Sequence, residues 1–203
     1  MNGSTQNLMS GILLALLLCL TFALLSAESR FGTRKVARLG IFLSLALVLG
    51  ILESFIPGFF LPGMRLGLAN IVLLLVLYIY GFKNGLYVAI LKALLVSLLR
   101  GSFLSMGGYM ALAGTLLSYL GMGLLKTLFH RLSPIGVSLF GSLLHVTGQI
   151  LVAYGFMGQA IFAYYPWLLL LAFFTGIFTG AVALVVMRRA RFVTYLKGET
   201  KNG

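Results

Sequence analysis

Residues 52–70 of the chain read LESFIPGFFLPGMRLGLAN and separate two long apolar runs. This stretch contains one of the three acidic residues of the protein, together with two of its four prolines and three glycines. Proline lacks an amide hydrogen and glycine accepts unusual backbone angles, so both residues interrupt helices. A break at the edge of a membrane frees backbone groups to meet a ligand. The stretch therefore predicts one wall of a binding site.

The rest of the chain is far more apolar than a soluble domain. Its 203 residues are 61% hydrophobic and only 9% charged, with a mean hydropathy of +1.09, whereas soluble domains carry about 25% charged residues. This composition predicts an all-α integral membrane protein. The net charge of +12 comes from basic clusters between apolar runs, as in cytoplasmic loops, so we expect no nucleic-acid partner.

Seven apolar runs predict seven membrane spans. Placing the amino terminus outside and the carboxyl terminus inside puts most lysines and arginines in the cytoplasm and leaves only Arg65 and Arg100 outside. We expect the first run to be retained, although a cleaved signal peptide is the alternative, because the start is uncharged and Leu25 stands where a small residue is expected. The predicted spans are residues 8–27, 39–56, 66–80, 86–99, 101–125, 135–154 and 167–187.

This pattern divides the chain into three parts in the cell membrane. Residues 1–37 form an N-terminal transmembrane helix and a basic cytoplasmic loop, residues 38–190 form a six-helix substrate-binding domain, and residues 191–203 form a basic tail. Small residues at four-residue spacing let helix backbones approach closely, and most of them suit packing within the chain. Those of the second span also predict a docking face for another membrane subunit: Gly40, Ser44, Ala46 and Gly50.

Polar side chains inside the predicted spans identify the candidate site, because an ionisable group in a membrane costs about 3 kcal/mol or more. Lys92 and Arg100 are eight residues apart, which places them on one helix face about 12 Å apart along the axis. Cations, amides, an imidazole and aromatics together suit a small, partly anionic or aromatic molecule. The predicted substrate-binding residues are Glu53, Arg65, Asn70, Lys92, Arg100, Tyr109, His145 and Gln149.

Most of these residues also have a structural interpretation. Arg65, Arg100 and the tyrosines are typical of helix ends anchored at lipid headgroups. In the structural alternative, Glu53 only pairs with Arg65 or Lys92 and neutralises a buried charge. A histidine such as His145 often serves helix packing. Lys92 is the hardest to explain in this way, since it lies far from both ends of its span.

The acidic residues argue against an enzyme. The chain contains no aspartate, and its three glutamates are far apart in sequence, so a magnesium-diphosphate site built from aspartate clusters cannot form. The single Cys19 excludes a paired-cysteine metal site. We therefore expect a non-enzymatic protein without a metal or cofactor, and an integral-membrane prenyltransferase is the weakest of the alternatives.

Four segments, together with His145 and Gln149, carry a resemblance to a known family. They read LESFIP at 52–57, PGMRLGLAN at 62–70, RGSF at 100–103 and SPIGVS at 133–138. Over residues 38–188 the chain resembles the bacterial Gx transporter family, which is also labelled heptaprenyl diphosphate synthase component I. That family is similar in turn to the substrate-binding S components of energy-coupling factor transporters.

The resemblance implies both a transporter and an alternative role. As an S component, the chain would hold a small molecule near the outer face. It would dock its second span against a transmembrane coupling protein that works with two cytoplasmic ATPases. Similar proteins are also associated with flavin- and menaquinone-linked electron transfer at the cell surface. The alternative is therefore a non-catalytic membrane subunit that supports isoprenoid or menaquinone synthesis, or flavin-linked extracellular electron transfer.

Overall fold

The computed structural model describes residues 33–55, 67–129 and 131–199, which form six α-helices and one 3₁₀ segment. This described part contains no strand, so the predicted all-α class is confirmed there. The helices are α1 (Thr33–Phe55), α2 (Asn70–Tyr80), α3 (Phe82–Leu99), α4 (Met106–Leu128), α5 (Pro134–Met157) and α6 (Tyr165–Glu199), with the 3₁₀ segment Gly158–Ala163 between α5 and α6.

The chain divides into two units, residues 1–41 and residues 42–203. The described part of the first unit is the beginning of α1, residues 33–41. The predicted first span, residues 8–27, lies outside the described residues. The second unit contains the rest of α1 and the five helices that follow it.

Five of the described helical segments are long and apolar enough to cross a bilayer. Their outward faces carry large apolar side chains, such as Phe174 and Phe178 of α6, which would be unfavourable in water. These helices identify the chain as a membrane protein. The five segments are Lys35–Glu53, Phe82–Leu99, Met106–Leu128, Pro134–Ala163 and Tyr165–Arg189.

The predicted third span is a half-length helix in the structure. Helix α2 contains 11 residues, which is about 16 Å of helix against a bilayer core of about 30 Å. Its start is delayed to Asn70 because Gly67 has a φ of +86° and forms a turn with the next two residues. Its end is set by Gly81, whose φ of +83° separates α2 from α3. Of the seven predicted spans, five correspond to described helices long enough to cross a bilayer, the third corresponds to the shorter α2, and the first lies outside the described residues.

Small residues bring α4, α5 and α6 together as antiparallel neighbours. A Cβ added to Gly148 of α5 would lie 2.8 Å from the carbonyl oxygen of Ala113 in α4. Between α5 and α6 the hydroxyls of Ser138 and Thr179 share a hydrogen bond of 2.7 Å. Close backbone contact and interhelical hydrogen bonds are the usual means by which helices associate in lipid.

Candidate functional site

Helix α3 carries Lys92 into the interior of the second unit. Its side chain is only 2% exposed, with Ala89, Ala93 and Val96 buried on the same helix. The Nζ atom donates a hydrogen bond of 3.5 Å to Oγ1 of Thr115 on α4. Burying an ammonium group is costly unless anions or hydrogen-bond acceptors compensate for the lost water. An anionic or acceptor-rich ligand near Lys92 would therefore be bound favourably.

Asn70 approaches the same face of α4 from α2. It is the first residue of that helix and only 4% exposed, and its Nδ2 atom donates a hydrogen bond of 3.4 Å to Oγ of Ser118. Thr115 and Ser118 are three residues apart on α4, so their Cβ atoms are about 5–6 Å apart. Lys92 and Asn70 therefore contact neighbouring positions on one helix, although they come from two others.

The carboxylate of Glu53 fixes the turn that precedes α2. Its Oε1 atom accepts hydrogen bonds from the backbone N–H groups of Gly67 and Leu68, the second at 3.3 Å. An acidic side chain at this position is stabilised by the dipole at the start of a helix. The sequence alternatives paired Glu53 with Arg65 or Lys92, whereas the structure places it on main-chain amides. Arg65 lies outside the described residues.

His145 and Gln149 lie fully buried on α5, four residues apart and hence on one face. They border Gly114 of α4, where an added Cβ would lie 3.1 Å from Cε1 of His145 and 3.0 Å from Cγ of Gln149. The histidine ring also faces Gly67, where an added Cβ would lie 3.4 Å from its Cδ2 atom. Two bare glycines therefore leave room for the imidazole between α4 and the turn before α2.

These contacts define one group of side chains, which we call the polar cluster. It contains five of the eight residues predicted from the sequence, and all five are buried. The structure thus brings together polar groups from five helices, α1 to α5, while their role in substrate binding stays a prediction. The polar cluster consists of Glu53, Asn70, Lys92, Thr115, Ser118, His145 and Gln149.

Arg100 and Tyr109 lie towards the rim of this cluster. Arg100 ends α3, about 12 Å beyond Lys92 along the helix axis, and it is half-buried. Tyr109 is half-buried on α4, and its ring centroid lies 5.9 Å from that of Phe156 on α5. Both residues therefore lie near the end of the second unit at which α3 ends and α4 begins, and we use the word rim for this end.

The sequence analysis did not assign Thr115 and Ser118 to the site. A hydroxyl in a membrane helix usually bonds to its own backbone or to a neighbouring helix, so these two residue types do not by themselves indicate a ligand. A usable signal was their spacing of three residues beside Gly114, which places two hydroxyls and a bare glycine on neighbouring positions of α4. Only the structure shows that Lys92 and Asn70 contact them.

The four residues predicted as a docking face do not share one environment. Ala46 and Gly50 are buried, and a Cβ added to Gly50 would lie 2.9 Å from Cγ2 of Val96 on α3. Ser44 is exposed in the second unit, and Gly40 is exposed in the first. Half of this predicted face therefore packs within the chain, and only Gly40 and Ser44 remain on the surface.

The polar cluster contains an ammonium group, an imidazole, two amides, two hydroxyls and one carboxylate. Among the described residues no three His, Cys, Asp or Glu side chains lie together as a metal site requires. Such a mixture of donors and acceptors in an apolar surrounding is typical of sites that orient a small molecule.

A comparison with protein families agrees with the motifs around this cluster. The family model described as heptaprenyl diphosphate synthase component I matches residues 42–186. The chain belongs to this family. The matched region contains every residue of the polar cluster, so the family relationship covers the candidate site itself. Searches of curated proteins and of solved structures returned no match.

Proposed function

We propose that the protein is the membrane-embedded, non-enzymatic substrate-binding subunit of a bacterial transporter in the cell membrane. The observation that carries this proposal is the polar cluster, in which Lys92, Asn70 and His145 come from three different helices and all lie against residues 114–118 of α4. Helices in lipid can associate through small residues and hydroxyl groups alone. A buried lysine, histidine and glutamate within one cluster therefore support a ligand site.

The chemistry of the cluster favours a small molecule with an anionic group and a flat or apolar part. Lys92 supplies a positive charge in an apolar surrounding, where a charge-assisted hydrogen bond is strong. The half-buried ring of Tyr109 is available for stacking at the rim. Uptake would then require energy from elsewhere, since the chain carries no phosphate-binding loop of the Walker type.

We infer that this energy comes from a transmembrane coupling protein and two cytoplasmic ATPases, as for the S components that the family resembles. The exposed residues Gly40 and Ser44 of α1 would contribute to docking. The orientation with the amino terminus outside is supported by a set of basic residues at one end of the second unit, which we call the basic end. The basic end consists of Lys83, Lys126, Arg131, Arg188 and Arg189.

Mass spectrometry of small molecules that copurify with the protein tests the proposal. We expect the wild-type protein to release a defined molecule, and the variants Lys92→Ala and Arg65→Ala to retain their fold but lose most of it. Lys83→Ala, which changes an exposed lysine of the basic end, is the matched control and should retain the molecule. Unchanged retention in both Lys92→Ala and Arg65→Ala would reject the site.

The family description, heptaprenyl diphosphate synthase component I, supports a second candidate, a non-catalytic membrane subunit of isoprenoid synthesis. The resemblance extends this candidate to menaquinone synthesis or flavin-linked extracellular electron transfer. In this case the polar cluster would only stabilise the helix bundle, and no small molecule would copurify. The protein would instead copurify with a synthase or electron-transfer subunit. In neither case do we expect the purified chain to convert a prenyl diphosphate in the presence of magnesium, and such turnover would favour the prenyltransferase alternative.

A further inference from the structure

Among the described residues, the side-chain amide of Asn70 forms a hydrogen bond through only one of its two polar atoms. Within the described part of the chain, Oδ1 of Asn70 is buried and accepts no hydrogen bond, although Nδ2 of the same amide donates to Ser118. A buried acceptor without a donor is unfavourable, and the great majority of such atoms in folded proteins have a partner. This oxygen therefore requires a donor that the described side chains do not supply.

The surrounding contacts hold this oxygen in place. Glu53 binds the backbone N–H groups of Gly67 and Leu68, and the N–H of Asn70 donates to the carbonyl of Gly67 at 2.9 Å. Ser118 fixes the other end of the amide. Asn70 is therefore held from its backbone and from its side chain, which is the arrangement expected of a preorganised acceptor.

We propose that Oδ1 of Asn70 is the specificity-determining acceptor of the substrate site, and that it selects molecules with an N–H or O–H donor. This inference rests on the proposed function, because it assigns one polar atom of the same site to the substrate. Glu53 is then a positioning residue that holds the turn before α2. Sites built to hydrogen-bond a donor reject analogues that lack it, because the buried acceptor is then left unpaired.

This requirement narrows the class of substrate. Amides, imides and hydroxylated compounds present a donor, and an anionic group on the same molecule would suit Lys92. Quinones and fully ionised prenyl diphosphates present only acceptors, so they would leave Oδ1 of Asn70 unsatisfied. The inference thus places the substrate outside the compound class that the family description names.

A dialysis experiment tests the inference with molecules of unknown identity. The purified full-length protein in detergent is equilibrated with a small-molecule extract of cells. The molecular masses of the enriched molecules are then measured by mass spectrometry in H₂O and in D₂O. The mass difference counts the exchangeable hydrogens of each enriched molecule. The same measurement is made on Asn70→Leu, which removes the acceptor at similar volume, and on Asn70→Asp, which retains an acceptor oxygen. The matched control is Ser138→Ala, which removes a buried hydroxyl outside the polar cluster and leaves the Asn70 amide and its contacts in place.

We expect the wild-type protein to enrich a molecule with at least one exchangeable hydrogen. Enrichment should be about tenfold lower for Asn70→Leu, and within about threefold of wild type for Asn70→Asp and Ser138→Ala. Equal enrichment by Asn70→Leu, as expected if solvent satisfies the oxygen, overturns the inference and leaves the proposed function intact.

An enriched molecule without exchangeable hydrogens also overturns the inference, and this result needs no folded variant. A wild-type protein that enriches nothing removes the proposed function itself, and the inference with it.

Discussion

Two lysines of the second unit, one at the basic end and one in the polar cluster, have different surroundings. Lys126 lies at the basic end, where its Nζ atom donates a hydrogen bond of 2.9 Å to the carbonyl of Leu77 and lies 4.3 Å from the centroid of the Tyr78 ring. Lys92 lies in the polar cluster, on the middle of α3, with the hydroxyl of Thr115 at 3.5 Å.

The contacts of Lys126 have a complete structural explanation. The last carbonyls of a helix have no intrahelical donor, and Leu77 is among the last four residues of α2. A cation is also favourable at the end of a helix and over an aromatic ring. A charge near a membrane surface therefore stabilises the fold there, whereas the role of the charge buried in the middle of α3 is what the proposed function assigns to substrate binding.

The largest expected effect is a difference in ligand affinity between variants of the two lysines. For Lys92→Met we expect about a 100-fold loss of affinity for the copurifying molecule, which is about 2.7 kcal/mol, because a buried charged contact disappears. Its free energy of unfolding should change by less than about 1 kcal/mol, since a buried charge is replaced by an apolar chain of similar length.

Lys126→Met should show the reverse pattern, with about 1–2 kcal/mol of lost stability and unchanged affinity. Equilibrium dialysis and denaturant titration in detergent measure the two quantities. If both variants lose affinity, or both lose stability, the two lysines do not have the different roles that we expect.

Packing density gives the second contrast between the regions. Gly114→Ala places a Cβ 2.9 Å from the backbone oxygen of His145, and we expect it to destabilise the protein by about 2 kcal/mol. Gly136→Ala, near the basic end, places a Cβ no closer than 3.7 Å to Leu132. Because alanine is the better helix former, this control should stabilise the protein by up to about 1 kcal/mol. Thermal unfolding in detergent checks the opposite signs.

The turn that holds Asn70 gives a third test within the polar cluster. Glu53→Ala should lower stability by about 1.5 kcal/mol and accelerate hydrogen exchange at the amides of Gly67 and Leu68, since both lose their acceptor. Glu53→Gln retains an acceptor oxygen and should preserve most of the protection. Mass-spectrometric hydrogen exchange distinguishes the two variants, and equal exchange in both would mean that Glu53 does not hold the turn.

The smallest effect belongs to the interface of α5 and α6, away from the polar cluster. A double-mutant cycle with Ser138→Ala and Thr179→Val should give a coupling of about 0.6–1 kcal/mol for their hydrogen bond. Denaturant titration of the four proteins measures this coupling, and neither variant should change ligand affinity. A larger coupling would place this hydrogen bond among the main determinants of the fold.

The sequence predicted the helices better than it predicted their lengths. Apolar runs located α1 and α3 to α6, because the hydropathy of about 20 consecutive residues is a local property. The run over residues 66–80 was predicted as another span, and the helix does end at Tyr80, but the positive φ at Gly67 delays its start to Asn70. A glycine in an apolar run is compatible with a helix or with a turn, so its sequence position alone does not distinguish them.

For the candidate site, the sequence identified the residue types that are expensive in a membrane, but not the contacts that they make. Asn70 and Ser118 are 48 positions apart in the chain, and the pairing of Glu53 with two backbone amides leaves no trace in composition or spacing.

The sequence by itself therefore determined that the helices lie in a membrane, where most of them are, and that burying Lys92, Glu53 and His145 is costly. These properties are local, because transfer free energy depends on each side chain and its immediate neighbours. The tertiary structure decided that Lys92 and Asn70 contact Thr115 and Ser118 on one helix, that Glu53 accepts from two backbone amides, and that Oδ1 of Asn70 has no donor among the described residues. Packing between helices is non-local, since it depends on which faces of distant segments fit together.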